Sequence, residues 1–465
     1  MHSESSRTTL AGARTALIAL ALLVAGIMMP QPLRAETLLD NIAGLTLDAD
    51  GRLVQFSGLV IGDDGRIAEV LTGKDKRPKK PAYVIDGRGR TVLPGFVDSH
   101  IDLMMIGLAE LTGGKTDGLP PPRPEDQDIA LAKAQSALAA LGITAVADMT
   151  TTIEDWQTYR RAGDAGRLYL RIMAYAPDVA AMSLIGGPGP TPWLYGDRLR
   201  FNGLRIDLDG SLEDGAALLN GSVGTPRLND TQLRNLMSRA AIDNFQIAVV
   251  AHGDAALASV LGALDEVSLT YQGDRRWRIE SVQLADPETL ARAAGHSAAL
   301  SFRPGRLAAD MARAQTALAP QLWPNVQPWQ SAVSAGVQPV FGSGPGATIQ
   351  PPLQSLATAI SREDAQGQPY GGWQPEQRLT REAAFAALTV NGARAGHGEG
   401  RFGRLVAGEA ADFVMVDRDP LLATPAELRA MAVLETWVSG RKVYEAGHEQ
   451  AQDTLRPFGE KMPGW

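Results

Sequence analysis

Three side chains are suited, by type and spacing, to binding a divalent metal ion. His100 and Asp102 stand two residues apart at the end of an apolar run, and alternate residues of a β-strand point to the same side of a sheet. His252 follows another apolar run. Two imidazoles and one carboxylate are a sensible ligand set for a single zinc or iron ion that keeps open coordination positions. The sequence therefore indicates His100, Asp102 and His252 as candidate metal ligands.

Acidic residues near these positions in the sequence could supply a general base, which takes a proton from an attacking water. The nearby acids are Asp207, Asp209, Glu213, Asp214 and Glu280. Of these, Asp209 and Glu280 are the candidates that we retain. The alternative is a metal-free arrangement, in which His100 and His252 are hydrogen-bonded inside the protein and Asp102 pairs with an arginine.

Such side chains can act together only if the strands that carry them end at the same place. Between residues 128 and 343, short apolar runs alternate with Ala- and Leu-rich stretches of helical period. Helices that alternate with buried strands over roughly 300 residues indicate a parallel α/β sheet, most simply a closed (β/α)8 TIM barrel. The reacting groups of such barrels lie at the C-terminal ends of the strands. We expect barrel strands to end at His100, His252 and Gly344, within about four residues.

The two ends of the chain have a different pattern. Residues 37–93 contain short β-type runs separated by turn signals, and residues 412–444 have the same character. Neither segment is long enough to bury a core alone. We therefore predict one small β-sandwich domain, formed by residues 36–93 and 405–447, beside a barrel of residues 94–404. Residues 448–465 are predicted to be a C-terminal tail.

The first 35 residues have the pattern of a secretory signal peptide. Arg7 and Arg14 supply positive charge, and the apolar run 16–29 is too short to span a bilayer comfortably. Pro30 follows, and Ala35 is a small residue at a cleavage point. This pattern predicts export to the periplasm, with cleavage near Ala35 and a soluble mature protein. An uncleaved N-terminal anchor is the alternative.

Composition excludes several classes of function. The chain has no cysteine, which excludes disulfides, thiolate metal sites, cysteine nucleophiles and a lipid-anchored cysteine. A formal net charge of −8 at pH 7 disfavours a nucleic-acid partner. Hydrophobic residues make up 45% and charged residues 21%, which is typical of a globular protein with a large core.

Six segments, in the same order, resemble segments of the amidohydrolase superfamily, in particular its exported amide hydrolases. They are Pro-Gly-Phe-Val-Asp-x-His at 94–100, Asp-Gly-Ser-Leu at 209–212, and the segments 249–254, 278–281, 341–345 and 401–416. The likeness covers nearly all of residues 37–447 and is highly specific for the fold. It implies a (β/α)8 barrel with a small β-sandwich domain. It also implies hydrolysis of amide or similar bonds by a water activated on one or two metal ions.

The same resemblance implies that several of the family's metal-site positions are substituted. Asp102 stands where a second histidine is usual, and Arg205 where a bridging lysine can occur. Ser281 replaces a metal-binding histidine, and Gly344 replaces the carboxylate that takes a proton from the attacking water. His252 resembles the histidine of a His-x-x-Gly-Asp strand ending. The implied site therefore holds at most one divalent ion, zinc or iron, or none.

These observations predict a periplasmic amidohydrolase-like hydrolase of carbon–nitrogen bonds, other than peptide bonds, in a small molecule. One alternative is a non-catalytic descendant that binds a small ligand or a partner in the periplasm with the same pocket. Another is a metal-free hydrolase that uses the remaining acids. The predicted partner is a small-molecule substrate or ligand, and no nucleic acid.

Overall fold

The computed structural model describes residues 36–115, 122–221 and 225–447. The predicted signal peptide (residues 1–35) and C-terminal tail (residues 448–465) lie outside these ranges. Within the described ranges, no helix combines the length and the apolar character that crossing a membrane would require.

Strands from both ends of the chain form one mixed sheet of eight strands. Numbered in chain order through the whole molecule, they are β1 (Thr37–Leu47), β2 (Leu53–Ile61), β3 (Ile67–Leu71), β4 (Tyr83–Asp86), β5 (Thr91–Pro94), β14 (Phe413–Val416), β15 (Val433–Val438) and β16 (Arg441–Glu445). The two ends of the chain meet where β5 pairs with β14 in antiparallel register. The stacked rings of Phe413 and Trp437 lie in the core of this sheet. The structure thus confirms that the two ends pair.

Eight parallel strands form a nearly closed barrel, and their order in the sheet follows their order in the chain. They are β6 (Phe96–Ile101), β7 (Ile143–Asp148), β8 (Arg171–Ala176), β9 (Leu199–Asp207), β10 (Gln246–Val250), β11 (Arg278–Glu280), β12 (Ala299–Phe302) and β13 (Pro339–Phe341). Beyond β13, the N–H of Gly344 donates to the carbonyl oxygen of His100 (2.8 Å), which brings the last strand to the first. The predicted fold class is confirmed.

Helices follow the barrel strands and cover the barrel. They are α1 (Leu103–Thr112), α2 (Pro124–Ala140), α3 (Ile153–Asp164), α4 (Val179–Gly186), α5 (Asp230–Ile242), α6 (Asp254–Thr270), α7 (Pro287–Gly295), α8 (Leu307–Ala317), α9 (Trp329–Ser334), α10 (Pro352–Ser361), α11 (Arg381–Ala387) and α12 (Val390–Ala395), while α13 (Pro425–Arg429) lies between β14 and β15. Their apolar faces bury against the outward-facing residues of the strands, such as Ile247, Ile279 and Leu300. A parallel sheet buried on both faces needs apolar strands, which is why continuous apolar runs marked these strands in the sequence.

A buried ion pair joins the terminal sheet to the barrel. The guanidinium of Arg171, at the start of β8, donates to both carboxylate oxygens of Asp412, just before β14 (2.5 and 2.8 Å). Asp412 also accepts the N–H of Ser439. Because both charges are out of contact with water, this two-point contact fixes the orientation of one domain on the other.

Candidate functional site at the barrel mouth

The C-terminal ends of β6–β13, with the residues that directly follow them, form the surface that we call the barrel mouth. The strands β6, β10 and β13 end at Ile101, Val250 and Phe341, within the range predicted from His100, His252 and Gly344. These strand ends bring together several charged and polar side chains.

His100 is held from one side by a carboxylate. It is fully buried on β6, and its Nδ1 lies 3.0 Å from Oε2 of Glu280 on β11. The other oxygen of Glu280 accepts a hydrogen bond from Nε of Arg278 (2.6 Å). We assign the Nδ1 proton to the side of Glu280 from this network. The Nε2 atom of His100 is then a buried acceptor, and it has no hydrogen-bond partner in the described part of the chain.

The charges around His100 explain its protonation state. Burial raises the pKa of Glu280, but the charge of Arg278 and the hydrogen bonds from His100 and Arg278 outweigh it and lower that pKa to about 2. Burial lowers the pKa of His100, and the contact with Glu280 opposes this only in part. At neutral pH the pair is an ionised Glu280 and a neutral His100. Both oxygens of the candidate acid Glu280 are engaged, so in this arrangement it orients His100.

His252 is held by a second carboxylate, Asp209. One oxygen of Asp209 accepts the N–H of His252 (2.8 Å) and lies 3.0 Å from its Nδ1. The other oxygen accepts the N–H groups of Leu218 and Gly253 (3.0 Å each). Asp209 therefore orients the imidazole and joins the loop after β9 to the loop after β10. The side chain of His252 is 8% exposed, and its Nε2 is not among the buried unpaired atoms.

Asp102 has an arginine as its neighbour, as the metal-free alternative predicted. One of its oxygens accepts a hydrogen bond from Thr150 (3.1 Å), and the other accepts the N–H of Gly346 (2.8 Å). Nη1 of Arg205 lies 3.8 Å from Asp102, while Nε and Nη2 of Arg205 contact one oxygen of Asp207 (3.0 and 2.9 Å). A guanidinium thus stands on β9 at the position where the resemblance implied a bridging ligand.

The residues at the mouth do not fit a metal ion. Within residues 36–115, 122–221 and 225–447, no three or more His, Asp or Glu side chains are grouped so that they could hold one. The described residues thus do not group His100, Asp102 and His252 into a site for a metal ion. The positive charge of Arg205, 3.8 Å from Asp102, also disfavours a cation there.

The position of His252 also differs from that of the histidine in a His-x-x-Gly-Asp ending. In a His-x-x-Gly-Asp ending the histidine precedes the glycine by three residues. Counted back from Gly253, that position is Val250, the last residue of β10. His252 is directly before the glycine and lies beyond the strand. The spacing in the sequence was therefore sufficient to show that His252 is not the motif histidine.

Two further residues at which the resemblance implied a substituted ligand, Ser281 and Gly344, lie just beyond β11 and β13. Ser281 directly follows β11 with a φ of +60°, and its buried hydroxyl has no partner in the described ranges. Gly344 has a φ of +89°, and a Cβ there would lie 2.1 Å from Nε of Arg303. The guanidinium of Arg303 therefore fills the space that a carboxylate side chain at position 344 would need. No motif indicated Arg303; its only signal is a charged residue directly after the apolar run of β12.

Asp98 is another functional-site neighbour that the sequence reasoning missed. It is buried, and it accepts the N–H of His100 (3.0 Å) together with the N–H and hydroxyl of Ser343 (3.1 and 2.5 Å). Burial raises its pKa to about 6, against these hydrogen bonds and the charge of Arg303. Asp98 thereby ties β6 to the end of β13 and fixes the backbone beside His100.

The mouth therefore combines two imidazoles, each oriented by a carboxylate, with two guanidinium groups. An imidazole whose Nδ1 is held by a carboxylate can accept a proton at Nε2. Guanidinium groups can stabilise negative charge that develops on a carbonyl oxygen. Together these groups can support proton transfer and oxyanion stabilisation with the chain's own side chains.

Comparisons with known proteins agree with this geometry at the level of the fold and family. A family model described as the amidohydrolase family matches residues 107–444. The chain is 26% identical to the N-substituted formamide deformylase of Arthrobacter pascens, over 66% of this chain and 58% of that protein. It is 26% identical to the protein LONG AFTER FAR-RED 3 of Arabidopsis thaliana, over 68% of this chain and 57% of that protein. The chain thus spans little more than half the length of these relatives.

Among solved structures, the chain is similar to an uncharacterized metal-dependent hydrolase from Pyrococcus horikoshii OT3. The TM-score is 0.72 at 19% identity, covering 84% of this chain and 99% of that one. At this level of identity the likeness shows the fold alone.

Proposed function

This chain belongs to the amidohydrolase family, and we propose that it hydrolyses a carbon–nitrogen bond, other than a peptide bond, in a small molecule. The reaction is placed at the barrel mouth, because the reacting groups of (β/α)8 barrels lie at the C-terminal ends of the strands. The observation that carries the proposal is the pair of Asp209 and His252, in which a carboxylate orients an imidazole that is not sealed from solvent.

In the proposed reaction, His252 is the general base. Its Nε2 takes a proton from a water whose oxygen adds to the carbonyl carbon, and Asp209 stabilises the imidazolium that forms. The guanidinium of Arg205 stabilises the negative charge on the carbonyl oxygen. The protonated His252 then gives its proton to the leaving nitrogen as the carbon–nitrogen bond breaks. The products are a carboxylic acid and an amine.

This family is generally metal-dependent, and a solved structure of similar fold is a metal-dependent hydrolase. The donor set of this chain does not fit a metal ion, since the guanidinium of Arg205 lies 3.8 Å from Asp102 and the described residues form no metal-binding group. The expectation of a single zinc or iron ion therefore gives way to a reaction that uses side chains only.

Amine release from a panel of small amides tests the proposed function. The panel contains N-substituted formamides, the class that names the Arthrobacter pascens relative, and also N-acyl amines and cyclic amides. We expect the wild type to release amine from at least one of them. We expect His252→Asn to lower kcat/KM by roughly 100-fold or more, the usual contribution of a general base.

His296→Asn is the matched control, because His296 also contacts a carboxylate, Asp265 (2.6 Å), but stands at the end of α7 on the outer surface. It should retain wild-type activity. Full activity of His252→Asn would overturn the role given to His252. A wild type that binds panel compounds without releasing amine would favour the non-catalytic alternative.

We propose the periplasm as the place of this reaction, from the charge and apolar pattern of residues 1–35.

A further inference from the structure

The guanidinium of Arg303 lies at the barrel mouth. It is largely buried and has no ion-pair partner in the described residues. Arg303 directly follows β12, and its Nε donates to the carbonyl oxygen of Ser343 (3.0 Å). In the described part of the chain, Arg303 makes no other hydrogen bond and has no carboxylate oxygen within 4.0 Å. Burial lowers the pKa of Arg303, which is the direction expected of a cation that has lost water without gaining a partner.

The carboxylates nearest to Arg303 are already engaged by other donors. Asp310 accepts the side-chain amides of Gln283 and Gln327 (2.5 and 2.6 Å). Asp98 accepts hydrogen bonds from the N–H of His100 and from the N–H and hydroxyl of Ser343. Asp102 accepts from Thr150 and Gly346. Their charges lie close enough to Arg303 to raise its pKa, but each carboxylate is fixed on other partners.

Arg303 keeps part of its surface exposed, and its terminal nitrogens make no hydrogen bond in the described part of the chain. Gly344, beyond β13, leaves the space that this guanidinium occupies, since a Cβ there would lie 2.1 Å from its Nε. The terminal nitrogens of Arg303 can therefore take a partner that comes from outside the chain. A guanidinium presents two parallel N–H groups that match a carboxylate.

Arg205 supplies a second cation close to Asp102. Its side chain is 13% exposed, and Nη1, which lies 3.8 Å from Asp102, makes no hydrogen bond in the described ranges. Arg205 and Arg303 therefore approach Asp102 from β9 and from the end of β12. Between them they place two positive charges at the mouth of a chain whose net charge is −8.

We propose that Arg303, with Arg205 beside it, binds a carboxylate group of the substrate. This assignment rests on the proposed function, because it names the class of substrate that the same mouth accepts: a small amide that also carries a carboxylate. Arg303 is the primary contact, through its two terminal nitrogens. Arg205 adds positive charge and remains able to stabilise the carbonyl oxygen.

Thermal denaturation with matched acid and amide pairs tests this inference without any turnover. Acetate, benzoate and succinate are compared with acetamide, benzamide and succinamide, at constant ionic strength. At least one acid should raise the melting temperature of the wild type in a saturable way, and its neutral amide should not. Arg303→Gln should weaken that acid's apparent Kd by roughly 30-fold or more, as expected for one partner of a desolvated charge pair.

Two variants separate ligand binding from a structural role. Without ligand, Arg303→Gln should melt close to the wild-type temperature, because Arg303 has no ion-pair partner in the described residues. Loss of a structural ion pair would give a lower value. Arg303→Lys keeps the positive charge but lacks the two parallel N–H groups of a guanidinium. It should therefore recover only part of the affinity for the acid. Arg234→Gln is the control, because Arg234 pairs with Glu266 on the surface and should bind like the wild type.

The outcomes also separate this inference from the proposed function. His252→Asn should bind the acid normally although it cannot turn over amides. Saturable acid binding by a wild type that hydrolyses nothing would support the carboxylate site and refute the hydrolase. Equal stabilisation by an acid and its amide, or by inorganic phosphate and the best acid, would overturn the carboxylate site. So would acid binding by Arg303→Gln at wild-type affinity.

Discussion

At the scale of single residues, charge substitution is the main feature of the barrel mouth. Arg205 stands where the family can have a bridging lysine, and Arg303 fills the space that Gly344 leaves. Two guanidinium groups thus supply positive charge at the mouth, and each histidine there is oriented by a carboxylate.

Glu280 gives a prediction at this scale. Glu280→Gln leaves Arg278 buried without a charged partner, and breaking a buried ion pair by removing one member costs about 3–5 kcal/mol. Urea denaturation at neutral pH measures this loss. Glu266→Gln, which alters an exposed pair with Arg234, should change stability by less than about 0.5 kcal/mol.

The difference in the free energy of unfolding between the wild type and Glu280→Gln should depend on pH in a definite direction. The pKa of Glu280 is about 2 in the folded protein, against a usual value of 4.5. The ionised form therefore stabilises the fold above pH 4.5, and this contribution is lost as the pH falls toward 2. The difference in the free energy of unfolding between the wild type and Glu280→Gln should therefore decrease over that range. A difference that stays constant, or that increases at low pH, would contradict the ionised pair.

At the scale of elements, local patterns predicted the strands but not the contacts between their ends. The apolar runs at 143–148 and 246–250 became β7 and β10 because a strand covered on both faces needs apolar residues throughout. The short strands at the two ends of the chain had to pair because neither end could bury a core alone, and β5 pairs with β14.

The contacts that decide the site join residues far apart in the chain, and no periodic signal carries them. His100 meets Glu280 across 180 residues, and Asp98 meets Ser343 across 245. A carboxylate in a sequence can be a base or an orienting group, and only its hydrogen bonds decide between them. The sequence offered Asp209 and Glu280 as candidate bases, and in the structure each of them contacts the Nδ1 of a histidine.

The N-terminal segment gives the prediction that belongs to this scale. A positive stretch, a short apolar run and the small residue Ala35 predict cleavage after export. N-terminal sequencing of the exported protein should find Glu36 as the first residue, within a few positions. Exported protein that still begins at Met1 would show instead that the segment is retained as an anchor.

At the scale of the whole molecule, contacts between the chain's own groups hold the amidohydrolase-type fold together. The barrel closes through Gly344 and Asp98, and the buried pair of Arg171 and Asp412 fixes the terminal sheet on it. None of these contacts needs a metal ion.

Metal content measured together with turnover tests the central claim most directly. The protein is purified without chelator, its zinc and iron are quantified by mass spectrometry, and amide hydrolysis is assayed before and after dialysis against a strong chelator. We predict well below one zinc or iron ion per chain, and unchanged turnover after dialysis, because Arg205, Arg303 and His252 supply the charge and the base. One ion per chain, whose removal abolishes turnover and whose return restores it, would contradict the account.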